Sequence, residues 1–425
     1  MSPPLAHLRT ADVAVIGCGI VGLSTAWQLQ RQGVSCVLID AAGPGAQASF
    51  GNAGSISVGN VLPQSTPGIA WKALRMLASP LAPLKLDWAA CPSWAGWLLR
   101  FVRDGNARRM REVTDALHAL NAAARAPWLE LAEAIGAQAL IGHSGYLHVY
   151  SDPGTYAGAR WARALMRERG VVFDELDGPQ LRQLEPKLGG RFVHGVFQRE
   201  ALALRDPGEL CRRLFQHLLS QGAHAHIAQV GAIARDGAHY RVETARGAVH
   251  AADVVVAAGA WSAALLRPFG VRLPMIPARG YHLMYPQQPD IVYRPTLWAE
   301  RYLVISPMQA GLRMTSIKEL TALDRPPRYG LIERLDAQAR QLFPTLAGRA
   351  QGRWAGHRPC TPDSLPVLDR VPDERIWIAT GHGHLGLTQG PISGQLMARA
   401  MLGQPTGIDL APYALSRFAQ ERAAA

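Results

Sequence analysis

Three glycines and an aspartate near the start of the chain have the types and spacing to bind a dinucleotide. Gly17-Cys18-Gly19-Ile20-Val21-Gly22 directly follows the apolar run Val13–Ile16, and Asp40 closes a second apolar run that begins at Cys36. Gly17 permits the tight turn out of a strand, Gly19 lets a pyrophosphate approach the backbone, and Gly22 lets the next helix pack closely. The helix predicted from Ile20 to about Gln32, with Gly33 as its stop, points free N–H groups and its positive dipole end at that pyrophosphate. The Asp40 carboxylate is placed to accept the ribose hydroxyls. An isolated GxGxxG is weak evidence, but here strand, helix, second strand and terminal acid fall at the required distances.

A second signal separates the two common dinucleotides. Gly381-His382-Gly383-His384-Leu385-Gly386-Leu387-Thr388 opens a helix near the C-terminus. Glycines and a helix N-terminus there suit the N1–C2=O edge of a flavin, where negative charge appears on reduction. A nicotinamide cofactor needs no such element. The sequence therefore points to FAD.

These residues must be held by strands and helices read from the pattern. Apolar runs ending in small residues recur at Val13–Gly17, Asp253–Gly259 (with Ala258 and Gly259 at its end) and Ile376–Gly381. Such continuous runs are buried parallel strands, and three of them from separated segments predict one sheet. Gly43 to Gly54 is a loop so rich in Gly, Ala and Ser that it suits backbone pressed on a flat ligand. Helical patterns cover 107 to 135, with a second piece after Pro127, and 155 to 169, stopped by Gly170. Asp206-Pro207 starts another helix, with Asp as N-cap and Pro in the first turn. A strand pattern covers Tyr146–Tyr150, a further strand reaches Val230, and the last helix is expected from about Ile392 to Leu402. The expected division is 9–58, 200–262 and 353–425 for the nucleotide domain, with 59–199 and 263–352 forming a second domain.

Composition sets bounds. The 425 residues are 48% hydrophobic and 18% charged, which describes a folded protein large enough for two cores. The formal charge of +12 could draw nucleic acid, lipid or acidic substrates, but the arginines are dispersed and no nucleic-acid motif accompanies them. Five scattered cysteines, with no metal-ligand spacing, read as reduced and suit a cytoplasmic location. No apolar stretch is long enough to span a bilayer.

With these motifs on the page, the chain resembles the FAD-dependent D-amino-acid dehydrogenases of the glycine-oxidase and D-amino-acid-oxidase superfamily. The resemblance rests on the N-terminal fingerprint, Ser49-Phe50-Gly51-Asn52-Ala53-Gly54, the Asp253–Gly259 strand, Trp354-Ala355-Gly356-His357-Arg358-Pro359-Cys360-Thr361-Pro362-Asp363, and Gly381 to Pro391. It implies an α/β fold with a discontinuous Rossmann-like FAD-binding domain and an α+β substrate domain built on a mainly antiparallel sheet. It also implies non-covalent FAD, with Val230 facing the adenine and Ala48, Ser49, Asn52, Ala53 and Gly54 wrapping phosphate and isoalloxazine. Gly383, Leu385, Gly386, Leu387 and Thr388 would lie at the flavin's far edge. Asp40 stands where relatives usually carry Glu, and His357 where they usually carry Leu.

Oxidation of a D-amino acid moves the Cα hydrogen as hydride to the flavin while the nitrogen lone pair forms an imine, so the protein chiefly supplies position and field. Arg358 matches the arginine that grips the substrate carboxylate, a task suited to a bidentate guanidinium. Tyr302 matches a tyrosine bonded to the same carboxylate. His384 is a candidate polar wall, and Tyr281 a candidate lid. Glu319 reads as holding strands together, and Cys360 is misplaced for a flavin linkage.

The segment from Ile69 to Arg111 carries Trp71, Trp88, Trp94 and Trp97 among Lys and Arg residues. Either these tryptophans form core, or they dock on a membrane, since the family's bacterial members are peripheral membrane proteins that reduce a respiratory quinone. The expected activity is thus oxidative deamination of a free D-amino acid or a cyclic D-imino acid of the proline or hydroxyproline type. Electrons would pass to a quinone or another non-oxygen acceptor, on the inner face of the cell membrane if the surface docks there. The alternatives are a glycine- or sarcosine-type oxidase releasing peroxide, and a non-catalytic flavin subunit of a heteromeric amine dehydrogenase.

Overall fold

A computed structural model describes residues 9–418 apart from 78, 80 and 289. The strand Arg9–Ile16 lies at the centre of the first sheet, parallel to Cys36–Asp40 on one side and to Gly247–Val256 on the other. His224–Ile227 extends the sheet beyond Cys36–Asp40, also in parallel. The strand Gly247–Val256 is long because its two halves have different partners. Its first half pairs antiparallel with His239–Thr244, while Val254–Val256 pairs in parallel with Ile376–Ile378. The runs read as buried strands are indeed covered on both faces. Val13 and Val15 enter one core with the helices Ile20–Gln30 and Gly386–Met401, whereas Ala14 and Ile16 enter a second core with Val254 and Val256.

The second large sheet is mostly antiparallel. Gly352–Cys360, Ile276–Tyr285, Gly311–Leu320, Leu303–Met308 and Thr296–Trp298 lie side by side, followed by Tyr146–Tyr150, His194–Gln198 and Asp174–Asp177. Two pairings are parallel, Thr296–Trp298 with Tyr146–Tyr150 and Leu84–Leu86 with Lys318–Leu320. A Rossmann-like parallel sheet with an antiparallel partner is the fold class expected from the sequence.

Several details differ from the sequence reading. The C-terminal helix begins at Gly386 and not near Ile392, because Pro391 sits inside it. A proline there lacks the N–H that would reach the Leu387 carbonyl, and the indole Nε1 of Trp128 donates to that carbonyl at 3.0 Å instead. The pattern over 107–135 resolves into Ala107–Ala122 and Arg125–Ala134, with Pro127 in the first turn of the second helix, where its missing N–H does no harm. The segment 155–169 is two helices, Pro153–Gly158 and Arg160–Glu168. Helices from 107 to 134 bury Leu117, Leu120, Trp128 and Leu131 in the nucleotide-side core, although sequence grouped them with the second domain. Conversely, the strand Gly352–Cys360 lies in the antiparallel sheet, so the chain returns to the first sheet only after Cys360.

Candidate active site

The glycine turn has the geometry its spacing predicts. Gly17 adopts φ +108°, and a Cβ there would collide with the Ala257 carbonyl; a Cβ on Gly22 would collide with the carbonyl of Gly17. Gly22 therefore acts by packing the helix Ile20–Gln30 onto the turn. That helix has no side-chain cap and no acidic residue in its first turn. Its first-turn N–H groups have no acceptor within the helix, apart from that of Ile20, which donates to the Ser49 hydroxyl at 3.0 Å. Asp40 accepts from the backbone N–H of Cys18 at 2.7 Å and of Ala42 at 2.8 Å, which fixes its carboxylate at the rim of the turn.

From this turn a single cavity of about 2020 Å³ runs between the two sheets. It exceeds the range of about 300–1,000 Å³ usual for small-ligand sites, and has room for a dinucleotide and a substrate together. Gly17, Gly19, Ile20, Val21, Asp40, Ala48, Ser49, Asn52 and Ala53 line its nucleotide end, with Val230, Ala258 and Gly259 opposite. Gly54 lies outside the wall. It adopts φ +75° and its carbonyl accepts from the N–H of Leu204 at 2.6 Å, so it shapes the loop from behind.

Gly383, His384, Leu385, Gly386, Leu387 and Thr388 also line the cavity. The helix Gly386–Met401 also starts without a side-chain cap or acidic first-turn residue. Two helix N-termini thus open onto one cavity, held there by small residues. A Cβ on Gly390 would press on Ile20, and one on Gly394 would meet the backbone of Ser24 and Thr25. The N–H of Gly383 donates to the Pro359 carbonyl at 2.8 Å, tying this loop to the strand that carries Arg358. Two uncapped, positively polarised helix ends packed side by side on one cavity wall fit an anionic dinucleotide with a reducible ring.

Arg358 lines the cavity, and its Nη1 donates to the Ile317 carbonyl at 3.0 Å. Its guanidinium lies over Gly280, where any Cβ would overlap it. Among the described residues no carboxylate forms an ion pair with it, and burial pulls its pKa down from the usual arginine value. Ile317 reaches its position with φ +66°, in a bulge where the pairing of Arg279 with Glu319 shifts to that of Tyr281 with Ser316. A β-branched residue in the left-handed region is costly, by about 1–3 kcal/mol, and such strain concentrates at functional sites.

Tyr302 lines the mouth of the cavity, half exposed, and its hydroxyl accepts from Lys72 Nζ at 2.6 Å. His384 Nδ1 pairs with Gln64 Nε2 at 2.9 Å. Burial first, and then the charges of Lys318 and Arg358, push its pKa down to about 3, so the imidazole is neutral.

Tyr281 does not belong to the site. Its ring is buried in the core of the second sheet, its hydroxyl bonds Glu319, and it accepts from the N–H of Arg328 at 3.0 Å. Alternation along Ile276–Tyr285 turns it away from the cavity, which removes the lid role. Glu319 pairs with Arg279 and Arg328 as well, and so holds strand and loop together.

Lys318 is the residue the sequence reading passed over. It lines the cavity, donates to Gln64 Oε1, and sits 5.3 Å from the Trp97 ring centroid and 5.6 Å from that of Phe101. Burial depresses its pKa, and Arg358 adds to the effect. Its signal was a lone lysine in an otherwise buried strand, beside a residue whose bulge no periodicity reveals.

The tryptophan-rich segment divides. Trp94 and Trp97 are 3% and 6% exposed and build a core against Ile276 and Leu320, whereas Trp71 and Trp88 are 72% and 69% exposed. Among the described residues no helix is long and apolar enough to cross a membrane.

Comparison with known proteins agrees with this geometry. Residues 12–400 match the DAO family model, described as FAD dependent oxidoreductase. The chain is 34% identical over 417 residues to a D-amino-acid oxidase of Bradyrhizobium diazoefficiens, covering 96% of this chain and 98% of the relative. It is 31% identical over 418 residues to a D-amino acid dehydrogenase of Paramagnetospirillum magneticum, covering 96% and 98%. Among solved structures, glycine oxidase from Geobacillus kaustophilus superposes with a TM-score of 0.76 at 22% identity over 96% of this chain and 99% of that one, a likeness of fold. A matched family model spanning almost the whole length, on a cavity shaped for a flavin dinucleotide, shows that the chain belongs to the FAD-dependent oxidoreductase family and uses FAD.

Proposed function

We propose that the protein oxidatively deaminates a free D-amino acid or a cyclic D-imino acid, passing the electrons to a quinone or another acceptor that is not oxygen. The observation that carries the reading is Arg358, a half-buried guanidinium on the cavity wall that lacks a carboxylate partner among the described residues. A cation in that state calls for an anion from outside the chain. An amino acid's carboxylate fits its fork, and Tyr302, at the cavity mouth, supplies a hydroxyl for the same group. When bound, FAD supplies the two-electron acceptor for the Cα hydrogen. Arg358 orients Cα, and the neutral His384 forms a polar wall without adding charge. The amine nitrogen's lone pair closes the C=N bond as the Cα hydrogen leaves with its electron pair, so no protein base is needed at Cα. Water then hydrolyses the imine to the keto acid, or opens the ring of a cyclic substrate.

Anaerobic titration of the yellow holoprotein with D-, L- and N-alkyl amino acids, including D-proline and hydroxy-D-proline, tests the reading. Bleaching by D-enantiomers supports it; bleaching only by L- or N-alkyl compounds overturns it. The second reading, oxygen as acceptor with release of peroxide, is favoured by the name of the Bradyrhizobium relative. Peroxide formed in step with turnover in air would establish it.

The exposed Trp71, Leu74, Trp88 and Leu99, with Lys72 beside them, support membrane docking as the route to a quinone. Flotation with anionic vesicles, lost on replacing Trp71 and Trp88 by Ser, is the expected outcome. A protein left in the soluble fraction would exclude it.

A further inference from the structure

The substrate end of the cavity has one more half-buried cation than a simple amino acid can neutralise. Arg358 accounts for one carboxylate. Lys318 lines the same wall, and no carboxylate forms an ion pair with it among the described residues. One of its three N–H donors goes to Gln64, and the Trp97 and Phe101 rings support the charge from the side. Neither contact cancels a full charge. A partly desolvated ammonium without a counter-ion is costly, whereas a fixed cation awaiting an anion is a binding site.

The neighbouring groups do not supply that anion. His384, close enough to feel both Lys318 and Arg358, is neutral. The only carboxylates on the cavity wall among the described residues are Asp40, at the nucleotide end, and Glu300. Glu300 accepts at Oε1 from the N–H groups of Ser151 at 2.9 Å and Asp152 at 2.8 Å, and among the described residues no ion pair joins it to Lys318. The dinucleotide's phosphates belong at the N-terminus of Ile20–Gln30, at the glycine turn.

From this juxtaposition we infer that the site selects a dicarboxylic substrate, with Arg358 holding the α-carboxylate and Lys318 a second one. The second carboxylate sits at the end of a short side chain, as in D-aspartate or D-glutamate. Lys318 is then the specificity-determining residue of the reaction proposed above, on which this inference rests. The long, apolar-walled ammonium acts as a point charge and tolerates either side-chain length.

The test uses the holoenzyme. Anaerobic flavin reduction is measured with D-aspartate, D-glutamate, iminodiacetate, D-alanine and D-leucine, for the wild type and for Lys318→Met and Lys318→Arg. In parallel, succinate and propionate are titrated against the visible flavin spectrum, which reads binding without turnover. Dicarboxylic compounds should reduce the flavin at least about tenfold more efficiently than neutral ones, and succinate should bind more tightly than propionate. Lys318→Met should remove both preferences, its loss with D-glutamate exceeding its loss with D-alanine at least about tenfold, and Lys318→Arg should retain them. D-Aspartate or D-glutamate outperforming iminodiacetate supports the side-chain placement; the reverse overturns it. Equal handling of neutral and dicarboxylic compounds, or an equal loss for both in Lys318→Met, overturns the inference while leaving amino-acid oxidation intact. Failure of every amino acid to bleach the flavin instead overturns the underlying function and this inference with it.

Discussion

The carbonyl of Ile317, a residue held at φ +66° in the bulge, accepts the 3.0 Å hydrogen bond from Arg358 Nη1. The bulge thus spends backbone strain on parking a guanidinium at the cavity wall, with its remaining donors free for a ligand. Arg358→Ala should therefore lower kcat/KM by about 2–5 kcal/mol, or about 30- to 5,000-fold, the range for truncating a buried charge-assisted pair. Arg358→Lys should recover only part of this, since a point charge cannot form the fork. Steady-state kinetics with a normal flavin spectrum would check it; near-wild-type activity in Arg358→Ala would remove the residue from the site.

Gly280 supplies the space in which that guanidinium lies. Its backbone is not in the left-handed region, so alanine is tolerated by the strand while its methyl group displaces Arg358. Gly280→Ala should fold, bind FAD normally, and lose about 10²-fold in kcat/KM, the scale for misplacing a positioning group by about 1 Å. Unchanged kinetics in a folded variant would show that the guanidinium position does not matter.

Trp128 Nε1 donates to the carbonyls of both Leu387 and Thr388, at 3.0 and 3.1 Å, compensating for the donor that Pro391 lacks. Trp128→Phe keeps an aromatic ring but leaves these buried acceptors without the indole N–H. Unfolding free energy should fall by about 1–3 kcal/mol, and FAD should dissociate more readily because the same turn faces the flavin site. Denaturant titration and cofactor retention on dialysis would measure both.

Burial depresses the pKa of His148 to about 4 and those of His282, His382 and His384 to about 3, with Arg313 adding to the effect at His282. In the unfolded chain these imidazoles take up protons near pH 6.5, while in the folded chain they do not until well below pH 5. The unfolded state then binds more protons across that interval, so stability falls as pH drops, by about 1.4 kcal/mol per pH unit for each such group. Glu185, raised to about 7 by burial, acts in the opposite direction over the same window but is one group against four. The urea midpoint should be lower at pH 5 than at pH 7, and His148→Phe should flatten the difference. An equal midpoint at both values would contradict it.

The nucleotide half was legible in the sequence because its chemistry is local. Gly17, Gly19, Gly22 and Asp40 lie within one strand–helix–strand unit, and each acts through its own backbone or the next turn. The start of the C-terminal helix was misplaced because the Pro391 penalty is cancelled by Trp128, more than 250 residues away in sequence. Tyr281 and Lys318 exchanged roles for a related reason. Strand alternation assigns a face only once register is known, and the bulge at Ile317 resets it. Spacing thus determined the cofactor and the parallel nucleotide-binding sheet, while the antiparallel second sheet was implied only by the family resemblance. Only the packing of the two sheets decided which buried charges face the cavity, since an ion's meaning depends on the partners that tertiary structure brings to it or withholds.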